Sequence, residues 1–216
     1  MSPQSHTVNV SRETFEQIQN LFEKNKSLLE SYLERIKWWN QRVNLFSRTI
    51  SDNDLREHLR HSLLCSSAPV FHAYTSVLDV GTGGGLPGIP LAIAFPEKKF
   101  TLIDKVYKKT VAVQEIVSEL KLENVDVEYI DIDDYMPVDI PYLIVSKHAF
   151  KISDLLELTD HLHWTDILML KGLPFMEELP ANSDDLNLTT YQFTPGIQHP
   201  FYENKVLLHV SRETLS

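Results

Sequence analysis

Two kinds of apolar spacing divide the chain near residue 75. In the first part the spacing is helical. From Ser11, Phe15, Ile18, Leu21 and Phe22 recur on one helical face. Ser27-Leu28-Leu29-Glu30 has the form of a capping box, which predicts a second helix starting there. That helix continues through Leu29, Tyr32, Leu33, Ile36, Trp39 and Val43. Leu55, Leu59 and Leu63 predict a third helix over 55–65, stopped before Pro69. Residues 1–10 read as a frayed terminus. Three helices and no strand define an N-terminal helical subdomain, 1–75.

From residue 76 to 216, short β-rich runs alternate with helical ones. Strands are predicted at 77–80, 100–103, 125–130, 142–145 and 167–170, with helices at 88–95, 108–120 and 154–161 and a helical turn near Asp133. Such alternation predicts an α/β fold with a mostly parallel sheet and helices on both faces. Two closing strands, 188–193 and 205–210, have no clear helix between them and predict an antiparallel hairpin at one sheet edge. The expected architecture is a seven-stranded Rossmann-like sheet behind the helical subdomain.

Glycine placement changes the picture most. Five of the seven glycines lie between Gly81 and Gly88, in Leu78-Asp79-Val80-Gly81-Thr82-Gly83-Gly84-Gly85-Leu86-Pro87-Gly88. This run joins a predicted strand to a predicted helix, where glycine lets a ligand approach the backbone. The second strand ends on Asp104, at the distance expected for an acid that binds ribose hydroxyls. The third strand is followed by Asp131-Ile132-Asp133-Asp134, which belongs beside an adenine. Asp79 is a candidate to face the positive end of a nucleoside amino acid. The loop lacks regular GxGxxG spacing, which weighs against a dinucleotide, and no Gly-Lys-Ser/Thr follows, which excludes a P-loop.

Charge is uneven. The net −10 arises entirely after residue 76, where 22 acidic residues face 11 basic ones, whereas 24–60 holds eight basic and five acidic residues. The helical front end is therefore the better candidate for a polyanion, through Lys37 and Arg42 beside Trp38 and Trp39. Lys105, Lys108 and Lys109 open a helix beside the expected site and are further RNA candidates. Cys65 is the single cysteine, which excludes a disulfide within the chain and a cysteine-built zinc site. His58 and His61 share a helix face without a third ligand, so no metal is expected. No apolar run reaches membrane-spanning length and no signal-peptide pattern opens the chain, so a cytoplasmic protein with no membrane partner is expected, as a monomer.

At the glycine loop the sequence resembles the bacterial small-subunit ribosomal RNA methyltransferase G family, also known as glucose-inhibited division protein B. The likeness extends to Trp39-Asn40-Gln41-Arg42-Val43-Asn44-Leu45, His61-Ser62-Leu63, Phe100-Thr101-Leu102-Ile103-Asp104 with Lys108 and Lys109, Glu119-Leu120-Lys121-Leu122-Glu123-Asn124-Val125, Leu168-Met169-Leu170-Lys171-Gly172 and Glu177-Glu178-Leu179. The resemblance implies methyl transfer from S-adenosylmethionine to N7 of a guanine in 16S RNA, with the small ribosomal subunit as partner. It implies cofactor contacts at Gly81 and Leu86, with Ile132 and Asp133 beside the adenine; Gly83 and Gly85 of the same loop, and Asp104 as ribose partner, complete the expected cofactor site. His148 takes the place of a family arginine at the cofactor site, Lys147 that of a serine, and Asp131 that of a second arginine. Lys147 joins the RNA candidates. No triad, metal or catalytic base is implied, although His148 is the one candidate beside the chemistry. Fold alone leaves another methyl acceptor open. The arginine replacements leave open a member that binds RNA or nucleoside without transferring methyl.

Overall fold

The computed structural model describes residues 4–47, 49–137, 141–180, 185–193 and 200–212. Helices α1 (Arg12–Lys24), α2 (Lys26–Asn40), α3 (Asp52–Leu63) and α4 (Pro69–Ala73) precede the alternating part, with a strand, β1 (Gln4–Val10), in front of them. Then follow β2 (Ser76–Val80), α5 (Gly88–Ala94), β3 (Lys99–Asp104), α6 (Tyr107–Leu120), β4 (Val125–Tyr129), β5 (Leu143–Lys147), α7 (Ile152–Leu158), β6 (Asp166–Gly172), β7 (Leu186–Phe193) and β8 (Lys205–Arg212).

The strands form one eight-stranded sheet in the order β1-β7-β8-β6-β5-β2-β3-β4. β8 is antiparallel to both β6 and β7, and every other pair is parallel. Two expectations are corrected here. Residues 4–10 are not frayed: they pair with β7 as an eighth strand, from Gln4 opposite Asn187 to Val10 opposite Phe193. The closing antiparallel pair is therefore not at the edge, because β1 lies outside it.

The second helix also differs at both ends. Asn25 joins α1 to α2, its Nδ2 donating to Leu21 O at 2.9 Å, and Ser27 caps nothing. Glu30 is drawn instead into a bidentate pair with Arg56 of α3, at 2.7 and 2.9 Å. α2 stops at Asn40, before Val43, because the Asn40 carboxamide turns to accept from Leu45 N and Phe46 N at 2.9 and 3.0 Å.

Strand alternation sends side chains to two apolar layers. Val77, Phe100, Leu102, Leu143 and Val145 face α1–α6, so that Phe22, Leu33 and Leu59 of the front helices share one cluster with the sheet. Leu78, Val80, Ile103 and Ile144 face α7 and the turns around Trp164 and Phe175 on the other side. β2 is the point where strand order reverses: the chain runs outward to β3 and β4, then returns to β5 on the other flank. Ligands in such sheets bind at the carboxyl ends of the strands at this reversal.

Candidate functional site

The glycine loop begins at that point. Gly81 N and Thr82 N both donate to Ile103 O, at 3.0 and 3.1 Å, which curls the chain over the end of β3. Gly81 and Gly83 take φ of +69° and +60°, a region that side-chain-bearing residues enter only at a cost. An added Cβ at Gly81 would lie 2.7 Å from Phe150 Cε2 and 2.8 Å from Ala149 Cβ, so the loop is seated on the turn after β5. At Gly83 the nearest atom would be 3.9 Å away, leaving its backbone open to a ligand.

Asp104 fixes this shape. Its Oδ2 accepts from Gly83 N at 3.0 Å and its Oδ1 from Val106 N at 2.9 Å. A carboxylate offers about four lone-pair directions, so two acceptors remain for hydroxyl groups. Asp79 has a different place from the one expected. It is fully buried beneath the loop, and its Oδ2 accepts from Thr82 Oγ1 at 2.7 Å and Gly88 N at 2.8 Å. It thereby ties the loop to the start of α5 and does not line the cavity. Burial pushes its carboxyl up to about 7, against the Thr82 and Gly88 hydrogen bonds that lower it.

Above the loop lies a cavity of about 500 Å³. Gly81, Gly83, Leu86, Asp104, Ile132 and His148 meet there, together with Lys105, Lys109, Asp131 and Lys147. Gly85 faces inward instead, where an added Cβ would meet Ile89 Cδ1 at 2.5 Å. Asp133 points to solvent beyond Ile132, and Lys108 is exposed outside the cavity. The outer wall was not visible in the sequence. It comes from α2, α3 and the loop between them, as Ile36, Leu45, Phe46, Ile50, Leu55 and His58. Tyr32 of α2 seals this wall to the loop by donating to Gly84 O at 2.8 Å.

The turn after β5 carries the two departures from the family pattern. His148 has φ +53° and donates its N–H to Leu170 O at 3.2 Å. Partial withdrawal from water, then Lys147, Lys171 and Lys205, brings its imidazole down to about 4, so it is neutral at pH 7. It does not reproduce an arginine's fixed charge. Lys147 is buried rather than poised at the surface for RNA: Nζ donates to His58 O at 2.6 Å and Ser62 Oγ at 3.1 Å. Asp131 pairs with Lys105 at 3.5 Å.

The late sequence motif supports the same turn. Lys171 Nζ donates to Phe150 O at 2.8 Å and pairs with Glu178 Oε2 at 2.5 Å, while Glu178 accepts from Ile152 N at 3.1 Å. Lys171→Met leaves Glu178 without its cation and Phe150 O without a donor. The expected loss is about 2–3 kcal/mol of stability, read as a fall in Tm of roughly 5–10 °C. An unchanged Tm would show that the strut carries no load. Asn124, in another of the quoted segments, donates to Ala92 O and Lys98 O at 3.1 Å each, joining the end of α5 to β4.

The basic excess of the front helices is largely consumed within the fold. Lys37 pairs with Asp52 at 2.7 Å, Arg56 with Glu30, Arg60 with Glu57 at 2.6 Å and Arg35 with Glu119 at 3.0 Å. Arg42 lies 3.4 Å over the half-exposed Trp38 ring, while Trp39 packs against the core. Neither Lys37 nor Arg42 lines the cavity. Among the described residues no group of three or more His, Cys, Asp and Glu side chains could hold a metal ion, and no helix is long and apolar enough to cross a membrane.

Comparison with known proteins agrees with this geometry. Residues 25–199 match the family described as rRNA small subunit methyltransferase G. The protein of that name from Flavobacterium psychrophilum is 37% identical over 180 residues, covering 80% of this chain and 84% of the relative. That of Ectopseudomonas mendocina is 38% identical over 187 residues, covering 82% and 85%. Among solved structures, magnesium protoporphyrin IX methyltransferase from Synechocystis, with bound S-adenosylmethionine, superposes with a TM-score of 0.60 at 14% identity over 88% of this chain and 97% of that one. An O-methyltransferase of tomaymycin synthesis from Streptomyces achromogenes gives 0.55 at 17% identity over 84% and 89%. At these identities the structural likeness concerns the fold: the sheet, with its antiparallel β8, is that of Rossmann-like methyltransferases. On the sequence match over most of its length, the chain belongs to the rRNA small subunit methyltransferase G family.

Proposed function

We propose that this chain transfers the methyl group of S-adenosylmethionine to N7 of a guanine in the 16S RNA of the small ribosomal subunit. The observation that carries the reading is the cavity, which gathers an open glycine backbone, a ribose-competent carboxylate and an apolar wall at the strand-order reversal. The residues present fit the cofactor. Gly83 leaves backbone exposed, Asp104 keeps acceptor capacity for ribose hydroxyls, and Ile132 with Leu86 offers apolar surface to an adenine. A volume of about 500 Å³ lies within the range of small-ligand sites.

The cofactor supplies an activated methyl group on a sulfonium. Neutral guanine carries a lone pair and no proton at N7, so the site needs no general base. Its task is alignment. The Lys171–Glu178 strut holds the 148–150 turn against Gly81, which fixes the two sides of the cavity relative to each other. Phe46, Ile50 and Leu55 exclude water from the outer side. A neutral His148 adds no positive charge beside a purine that becomes positive as the bond forms.

Calorimetric titration with S-adenosylhomocysteine tests the cofactor half of this reading. Saturable one-to-one binding is expected, abolished by blocking the cavity. A folded chain that binds no nucleoside would remove the cofactor from the account. His148→Arg tests the departure from the family: tighter cofactor binding or faster methylation is expected if the histidine is the weaker partner, and no gain in either would count against that idea.

A further inference from the structure

Lys147 presents a charge problem that the fold leaves open. Its residue is 9% exposed and lines the cavity, and its Nζ has two neutral acceptors, His58 O and Ser62 Oγ. Among the described residues it makes no ion pair with a carboxylate, whereas Lys171, buried nearby, has Glu178. An ammonium carries three donors, so one is unassigned. Burying a cation without a counter-charge is costly, and a ligand anion relieves that cost.

The surroundings are of the same sign. His58 and His148, which share the wall, are both held neutral by burial and by the positive charge of Lys147 and Lys205. Lys205 itself donates to Phe201 O at 2.7 Å. Against these stand Glu178, committed to Lys171, and Asp79, which lies below the loop and outside the cavity lining. Burial brings the Lys147 ammonium itself down to about 7, with Lys205 adding to the fall and Cys65 and Asp79 opposing it.

Topology says which end of a ligand reaches this wall. Lys147 ends β5, on one side of β2, while Asp104 ends β3 and Ile132 follows β4, on the other side. Three strand spacings separate β5 from β4, about 14 Å in all. A nucleoside amino acid whose adenosine sits at Asp104 and Ile132 crosses the glycine loop and brings its far end towards β5.

We propose that Lys147 is the counter-cation for an anionic oxygen group held in the cavity, the carboxylate at the amino-acid end of the cofactor. The assignment rests on the cofactor reading above. An RNA phosphate has the same charge chemistry, but Lys147 lies inside the wall formed by His58 and Leu55, where a backbone phosphate has poor access.

The experiment compares S-adenosylhomocysteine with 5′-methylthioadenosine, which keeps the nucleoside and thioether and lacks the amino-acid end. Both are titrated into the full chain and into Lys147→Gln, Lys147→Met and Ser62→Ala, with melting curves for each. Lys147→Gln and Lys147→Met are expected to weaken S-adenosylhomocysteine roughly tenfold or more and to leave methylthioadenosine unchanged. Ser62→Ala removes one of the two acceptors of Lys147 Nζ without removing the charge, and should keep the ratio of the two affinities. If both Lys147 variants keep that ratio but lose affinity for a 16S RNA fragment, the anion is a phosphate and the cofactor assignment is overturned. Equal weakening of both nucleosides, with RNA binding unaltered, overturns the proposal in favour of a purely structural lysine. Failure of the wild-type chain to bind either nucleoside overturns the cofactor reading itself, and this assignment with it.

Discussion

Gly81→Ala is expected to lower affinity for S-adenosylhomocysteine by up to roughly 30- to 5,000-fold. Two costs combine. A left-handed backbone at φ +69° disfavours alanine by about 1–2 kcal/mol. The new methyl would meet the Phe150 ring at 2.7 Å and Ala149 Cβ at 2.8 Å, and such overpacking typically costs about 1–3 kcal/mol. Relief requires the loop and the 149–150 turn to separate, and both line the cavity. Gly83→Ala provides the contrast. It has a similar φ, but its methyl meets nothing within 3.9 Å, so its melting temperature should fall less. Titration and melting of the two variants side by side decide the matter: wild-type affinity in Gly81→Ala would show that the loop is not seated as described.

The second large effect is acid sensitivity centred on α3. His61 is fully buried and its pKa is held well below 6.5, chiefly by burial. His58 is held at about 3, again by burial first and then by Lys147, Lys205 and His148. Both folded-state values lie below the unfolded one. Their contribution is therefore complete above the unfolded value and is lost as pH falls from about 6.5 towards the folded values. From pH 7 to pH 5 His58 costs about 2 kcal/mol, and His61 adds a loss of the same sign. Asp79 works in the opposite sense. Its folded pKa of about 7 lies above the unfolded value, so stability is regained as pH falls through 7 towards 4, by about 2 kcal/mol over the same interval. His58 and Asp79 thus roughly offset each other, and the further loss at His61 leaves a net fall in stability from pH 7 to pH 5. Urea unfolding at pH 7 and 5 measures it. His61→Gln should flatten the loss and Asp79→Asn should steepen it. A stability independent of pH in all three proteins would refute this assignment of buried neutral histidines.

Much of this site was legible because its parts are local in sequence. A glycine run between a strand and a helix, an acid closing the next strand and an apolar residue after the third each carry their own signal, and topology alone brings Gly81, Asp104 and Ile132 together. β1 was not legible, because residues 5–9 are exposed and only Val10 is buried, so an edge strand of this kind lacks an apolar alternation. Asp79 was misplaced because sequence gives no strand facing: in this sheet it points under the loop towards Gly88. The outer wall depends on tertiary packing, as Tyr32 lies 52 residues before its partner Gly84. Lys147 read as a surface cation because its burial depends on α3, whose Ser62 is 85 residues distant. The basic front end misled for a related reason: charge counting does not see which carboxylates fold back onto Lys37, Arg56 and Arg60.

Transfer of a methyl group to one guanine is open to a direct labelling test. Purified chain would be incubated with methyl-labelled S-adenosylmethionine and small ribosomal subunits from cells lacking this modification, and the label mapped by nuclease digestion. Label is expected at a single guanine, recovered as 7-methylguanosine. Subunits shown competent by a related enzyme, yet left unlabelled by a chain that binds S-adenosylhomocysteine, would contradict it.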